Sequence, residues 1–201
     1  MRIVVIGGNG TIGRRLVPAL AERGHDTVIA GRSAGGIRVD ITSADSIVEM
    51  YEQAGAVDGV VVIAASGALD DFATLTGADL LENMRGKFFG QANVVLIGQR
   101  YVRDGGSLTL TSGIFADEAW PGVTGGAAVS GALHSFVLSA AVELPRRLRV
   151  NVVSPTMVAD SADALRDLFP GMRPVAMDTL VKHYVDCVEG NDSGAVIRAY
   201  G

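Results

Sequence analysis

Arg2-Ile3-Val4-Val5-Ile6-Gly7-Gly8-Asn9-Gly10-Thr11-Ile12-Gly13-Arg14 decides the fold. The first five residues are a short β-branched run, apolar on both faces, as in a strand covered by helices on each side. A G-x-G-x-x-G pattern follows from Gly8 to Gly13, and a helical pattern runs from Thr11 to Arg23. Placed between strand and helix, Gly8 permits a tight turn, Gly10 lets the backbone approach a pyrophosphate, and Gly13 packs the helix on the sheet. The helix N-terminus adds free N–H groups and a positive dipole end. Gly7, Gly8, Asn9, Gly10, Thr11, Ile12 and Gly13 are therefore the candidate phosphate cradle of a dinucleotide. An ordinary glycine-rich turn is the alternative, and the strand–turn–helix context disfavours it.

The same alternation continues along the chain. Strands are predicted at 27–30, 37–40, 59–63, 107–111, 149–153 and 195–199, and helices at 43–53, 78–103, 126–144 and 178–189, with Ser43 and Asp178 as N-caps. Strands alternating with helices imply an α/β fold with a doubly wound parallel sheet, and 201 residues suit one domain spanning 1–201. One crossover is unusual. Only Gly31 to Gly36 separates the second strand from the third, where parallel neighbours ordinarily need about a dozen residues. A stripped loop replacing a helix is the favoured reading, in a chain with 26 glycines.

The end of the second strand selects the dinucleotide. An NAD site places a carboxylate there to hold the ribose 2′-hydroxyl. This chain has Gly31-Arg32-Ser33, a guanidinium and a hydroxyl suited to a 2′-phosphate. NADP(H) is therefore favoured over NAD(H). Arg14 is either a second phosphate-facing charge or a solvated surface group. Asp40 and Ile41 either flank the adenine or cap the following helix. Gly31-Arg32-Ser33-Ala34-Gly35 also fits the G-x-S-x-G nucleophile elbow, but that elbow requires a helix after the turn. A serine hydrolase using Ser33 is the weak reading.

Composition narrows the classes further. Apolar residues make up 48% of the chain and charged residues 19%, which excludes a disordered or coiled-coil protein. A net charge of −5 argues against a nucleic-acid groove. One cysteine excludes an internal disulfide or CxxC metal site, and Cys187 reads as core. The amino-terminal apolar run is too short for a signal peptide, and no uninterrupted apolar stretch approaches the ~20 residues of a membrane span. The expectation is a cytoplasmic protein with no membrane partner and no metal.

The glycine loop, Gly31-Arg32-Ser33, Asp40-Ile41 and Ala64-Ala65-Ser66-Gly67 together resemble the short-chain dehydrogenase/reductase family. So do Asn83-Met84-Arg85-Gly86, Gly106 to Ser112, and Arg149-Val150-Asn151-Val152-Val153-Ser154-Pro155. The resemblance spans the chain. It implies a Rossmann-type sheet of seven strands in the order 3-2-1-4-5-6-7, a bound NAD or NADP, hydride transfer with a carbonyl or alcohol, and a homodimer or homotetramer. Ala64, Ala65 and Ser66 match the stretch after the fourth strand, with its two asparagines lost. Asn83 matches the active-site asparagine and Ser112 the serine that binds the substrate oxygen. Pro155 to Val158 matches the segment contacting the nicotinamide amide, with Thr156 in place of a glycine.

The family's tyrosine and lysine are missing. Their positions hold Gly126 and Ser130, and the chain's two lysines, Lys87 and Lys182, follow Asn83 and Asp178 at four residues. Tyr-x-x-x-Lys therefore occurs nowhere. A positioned general acid typically contributes ~10²- to 10⁴-fold. His134, Lys87 and the Asp117-Glu118-Trp120 loop are possible substitutes, each with an ordinary core, surface or loop reading beside it. The small residues from Gly125 to Ala132 suit either close helix packing between subunits or room for substrate. Two readings follow: an NADP(H)-dependent oxidoreductase acting on a small carbonyl or alcohol with nonstandard proton delivery, or a noncatalytic NADP(H)-binding sensor or partner-binding protein.

Overall fold

The apolar run at the amino terminus forms β1 (Arg2–Ile6) at the centre of a seven-stranded sheet in the computed structural model, which describes residues 1–63, 69–161 and 166–201. The chain continues through α1 (Gly13–Glu22), β2 (Asp26–Gly31), β3 (Ile37–Arg38), α2 (Ala44–Ala54) and β4 (Val57–Val62). Then come α3 (Gly77–Asn83), a π-helical turn (Met84–Phe89), α4 (Gly90–Gly98), β5 (Val102–Thr111) and a 3-10 turn (Ile114–Ala116). It ends with α5 (Thr124–Glu143), β6 (Arg149–Pro155), α6 (Met177–Glu189) and β7 (Val196–Ala199). The sheet is parallel throughout, in the order β3-β2-β1-β4-β5-β6-β7. This is the predicted doubly wound architecture.

Alternate residues of the central strands feed two cores. Val4, Ile6, Val60, Val62, Val150 and Val152 pack with α2, α4 and α5. Ile3, Val5, Val61 and Val153 pack with Leu16 and Leu20 of α1 and Leu180 and Tyr184 of α6. Each such side chain gains roughly 1.5–3 kcal/mol on leaving water, which is why the strands read as unbroken apolar runs. Cys187 lies in the second core at 4% exposure, and burial pushes its thiol up to about 12.

The β2–β3 crossover is the stripped loop. β3 pairs parallel with β2 through Ala30–Ile37 and Gly31–Arg38. Gly35 makes the turn at φ +130, where a Cβ would stand 2.7 Å from the Ile29 carbonyl oxygen. Ser33 is thus followed by a strand, and the nucleophile-elbow geometry is absent. β3 ends at Arg38, so Asp40 lies beyond it.

Three expected elements differ. The long helix predicted over 78–103 is divided: a π-helical turn joins α3 to α4, and the Gly90 N–H bonds to Arg85, five residues back. Helix stops at Gly98, because fully buried Val102 already pairs with Val57 in β5. Asp178 does not cap α6. Ala176 occupies the N-cap without a side-chain bond, and Asp178 sits in the first turn, 3.2 Å from Arg15. Ser43 does cap α2, accepting from the Ser46 N–H. α5 is long and apolar enough by length and composition to cross a membrane, although Ser130, His134, Ser135 and Ser139 interrupt its apolar run; it packs against β6 and contributes Val129, Leu133 and Val137 to the first core.

Candidate functional site

The glycine loop is held by backbone. The Gly7 N–H bonds to Ala30 of β2 at 2.9 Å, and the Gly7 carbonyl accepts from Gly10 at 2.9 Å. Gly7 itself is at φ +90, open to glycine at little cost. A Cβ on Gly13 would sit 2.4 Å from the Gly7 oxygen and 2.5 Å from Gly8 backbone. α1 can therefore begin there only with glycine. Arg14 turns back on this loop, its Nε donating to the Asn9 carbonyl at 2.8 Å.

A cavity of roughly 510 Å³ opens beside this loop, lined by Gly7, Asn9, Gly10, Arg32, Ser33 and Asp40 to Thr42, among others. Arg32 and Ser33 are exposed at its edge. Arg38, which the sequence reading passed over, donates to the Arg32 carbonyl at 2.6 Å and so anchors that corner. Asp40 accepts from the N–H of Thr42 at 3.0 Å and from its hydroxyl at 2.8 Å. These bonds, with the nearby Arg32 charge, hold its carboxyl below the usual range. Asp40 thus makes a local turn and lines the cavity as well. Ile41 lines it too, and is 7% exposed. The group suits a dinucleotide: close-approach glycines, a helix start with its positive dipole end, and a guanidinium where an NAD site has a carboxylate.

A second cavity, of roughly 480 Å³, lies over the C-terminal ends of β5 and β6. Its walls include Ile114, Phe115, Val129, Met157, Phe169 and Met172. Asn83, Lys87 and Ser112 bring polar groups to it. Gly86 borders both cavities, so the two are neighbours across one α-carbon.

Ser112 continues the line of β5, its N–H bonding to Val153 of β6 at 2.9 Å. Its Oγ lies 2.8 Å from Nε2 of His134 on α5. His134 is buried, and that burial lowers its pKa, against an opposing pull from Asp117. Lys87 reaches the Ser112 carbonyl with Nζ at 3.2 Å, and burial brings its ammonium down to about 8. Fully buried Gln91 fixes both: its amide donates to Thr111 at 2.8 Å and to Lys87 at 3.2 Å, and its oxygen accepts the Thr111 N–H at 2.8 Å. The sequence signal for Gln91 was a polar residue inside an apolar helical run.

Asn83 donates to Asp70 at 3.4 Å, and the Gly125 N–H bonds to the other Asp70 oxygen. Asp70 was not singled out in the sequence. Gly126 lines the second cavity, and a Cβ there would meet only Phe115, at 3.7 Å. Small size at 126 therefore makes room. Ser130 is 1% exposed, and its Oγ has no hydrogen-bond partner among the described residues. Pro155 lines the cavity, whereas Val158 is packed in the core and bridges to Val175. Thr156 is outside the left-handed region, so replacing the family's glycine brings no backbone strain. Ala64, Ala65 and Ser66 lie outside the described residues. Asp117 is held by Arg198 at 3.0 and 3.1 Å and by the Tyr200 hydroxyl, while Glu118 and Trp120 line a third, smaller cavity. Among the described residues, no group of three or more His, Cys, Asp or Glu side chains is placed to hold a metal.

The family model described as "Enoyl-(Acyl carrier protein) reductase" matches residues 6–185. The chain belongs to the short-chain dehydrogenase/reductase family. Members of this family are NAD(P)-dependent oxidoreductases. Among solved structures, the protein lin1944 from Listeria innocua is 36% identical, with 100% of both chains covered and a TM-score of 0.96. A small-chain dehydrogenase in complex with NADPH is 25% identical, covering 98% of this chain and 95% of that one, with a TM-score of 0.86. The 3-hydroxyacyl-CoA dehydrogenase type-2 from Mycobacterium avium, at 22% identity and TM-score 0.83 over 98% and 93% of the chains, shares the short-chain dehydrogenase fold. A search of curated proteins finds no match.

Proposed function

We propose that this protein is an NADP(H)-dependent oxidoreductase interconverting a small, uncharged, largely apolar carbonyl compound and its alcohol, without the usual tyrosine and lysine. One observation carries this reading: a glycine cradle ending in Arg32 adjoins, across Gly86, an apolar cavity with Ser112, Lys87 and Asn83 on its wall. The first cavity suits a charged dinucleotide and the second its apolar reaction partner. When bound, the dinucleotide donates or accepts the hydride. The chain's own residues do the rest. Ser112 hydrogen-bonds the substrate oxygen, the Lys87 charge favours the oxygen's negative form, and the aromatic and methionine walls exclude water. Gly126 leaves space for substrate where the tyrosine would stand.

Calorimetry with NADPH and NADH tests the cofactor. NADPH is expected to bind more tightly, and Arg32→Asp to weaken NADPH roughly 10- to 100-fold, the worth of one charge-assisted bond, while sparing NADH. Tighter NADH binding by the native protein would overturn the choice of NADP(H). Consumption of NADPH across aldehydes, ketones and quinones tests the reaction. The loss of the tyrosine and lysine favours the second reading, a noncatalytic NADP(H)-binding sensor; tight binding with no turnover would select it.

The same proposal takes the protein as cytoplasmic, without membrane or nucleic-acid partners, and as a homodimer or homotetramer. Exposed Leu96 on α4 and Leu138 and Val142 on α5 support self-association. Light scattering of the purified protein decides the oligomeric state.

A further inference from the structure

We propose that Ser112 and His134 form a proton relay in place of the missing tyrosine: Ser112 meets the substrate oxygen, and His134 exchanges protons through Ser112. The relay rests on reading the second cavity as a carbonyl/alcohol site. It is carried by the 2.8 Å contact between Ser112 Oγ and His134 Nε2, and by which of the two reaches the cavity. Ser112 lines the cavity and His134 does not. The serine hydroxyl therefore stands between substrate and imidazole. Gly126 and Ser130, at the positions of the absent pair, supply no group that titrates in its place.

The surroundings set the direction of transfer. His134 is 8% exposed, and burial favours its neutral form at neutral pH. The groups around it are Asp117 beyond the 3-10 turn, and Arg198 and Tyr200 from β7 and just after it. Asp117 pulls the His134 pKa up, Arg198 pulls it down, and Asp117 is already engaged by both Arg198 and Tyr200. Lys87, from the π-helical turn, bonds the carbonyl of Ser112. A neutral imidazole accepts from the Ser112 hydroxyl, which makes it a base.

Alcohol oxidation then balances as follows. The substrate O–H proton passes to Ser112 Oγ as the Ser112 proton passes to Nε2. The C–H electron pair leaves as the hydride taken by the oxidised dinucleotide, and the C=O bond forms. The product is a carbonyl compound beside an imidazolium, which returns its proton to water. Reduction runs the same steps backwards and begins from the imidazolium. Oxidation is therefore expected to rise with pH through the His134 titration and reduction to fall through it. His134 is a positioning residue acting through Ser112.

The test combines a titration and a rate profile. Nitrogen-15 NMR of histidine-labelled protein follows the three histidines, with His134 identified by its loss in His134→Gln. A midpoint below the ordinary value is expected, and Ser112→Ala is expected to raise it, because the serine donor favours the neutral ring. An unmoved midpoint in Ser112→Ala overturns the relay. With NADP⁺ and 1-phenylethanol as probes, His134→Gln is expected to lose ~10²- to 10⁴-fold in kcat, to lose the acid limb of the profile, and to keep its NADP⁺ affinity by calorimetry. His134→Asn is the second variant should the first fail to fold. A retained acid limb in a folded variant overturns the proposal. So does hydrolysis of p-nitrophenyl acetate that is lost equally in Ser112→Ala and His134→Gln, which makes Ser112 a nucleophile. Should no alcohol or carbonyl turn over, the oxidoreductase reading fails and the relay falls with it, whereas turnover with an unmoved Ser112→Ala midpoint overturns the relay alone.

Discussion

Two helices that carry glycine in their first turn, α1 and α5, use it for opposite ends. At the start of α1, Gly13 is pressed against backbone, with its absent Cβ 2.4 Å from the Gly7 oxygen. At the start of α5, Gly125 is crowded by Asn83 and Asp70 side chains, yet its neighbour Gly126 faces a cavity with only Phe115 at 3.7 Å. The first loop needs glycine because atoms are close. At Gly126 the missing side chain leaves volume. Sequence alone shows the same letter in both places, and only the contacts tell tight packing from deliberate space.

Substitution separates the two uses. Gly13→Ala is expected to be the most damaging change. A Cβ inside backbone contact distance forces α1 off the sheet, costing about 3 kcal/mol or more, with loss of NADPH binding; chemical denaturation and calorimetry measure both. An unchanged midpoint and affinity would remove the contrast altogether. Gln91→Leu comes next. It leaves the Thr111 N–H and carbonyl without their side-chain partner in a buried setting, for about 2–3 kcal/mol, and loosens Ser112 and Lys87. Stability and kcat are expected to fall together.

Lys87→Met tests the cavity from the other direction. The unfolded lysine titrates near 10.4, and the folded one at about 8. Between these values the unfolded chain holds a proton that the folded chain has released, so native stability climbs with pH across that window. Below about 8 the full cost of burying the charge is present. Lys87→Met is accordingly expected to raise stability at pH 7 by about 3 kcal/mol, since each tenfold change in an ionisation equilibrium is worth about 1.36 kcal/mol. It is also expected to flatten the rise between pH 8 and 10 and to slow turnover. Thermal denaturation over that pH range checks the sign. Gly126→Ala carries the smallest effect. A methyl group fits at ordinary contact distance, and the helix gains roughly 0.5–1 kcal/mol. A melting temperature that falls instead would show that Gly126, like Gly13, is required by close packing.

The same contrast explains what the residues disclosed. The glycine loop was legible because its requirements are local: β1 and the glycine spacing lie within one strand–turn–helix unit. Strand alternation implied the doubly wound parallel sheet, and the family resemblance supplied its strand order. The β2–β3 loop was legible for the same reason. The division of the 78–103 segment was not, because α-helical and π-helical turns share one apolar pattern and because the start of β5 is set by Val57 across the sheet. Asp178 carried a capping residue's chemistry, yet Ala176 holds the N-cap of α6. His134 and Ser112 are 22 residues apart in sequence and meet only when α5 is laid on β5 and β6. Gln91 and Asp70 likewise act through distant backbone, which no spacing rule reports.

Gly86 has a practical consequence. A Cβ there would meet nothing within 4 Å, and the residue borders both cavities. The partition between them is thus thin enough for one tethered inhibitor, with an anionic nucleoside head and a greasy tail, to occupy both compartments. Joining the halves would raise affinity through effective concentration, and a bulky replacement at position 86 would give a resistant variant that separates this bridging mode from binding in either compartment alone.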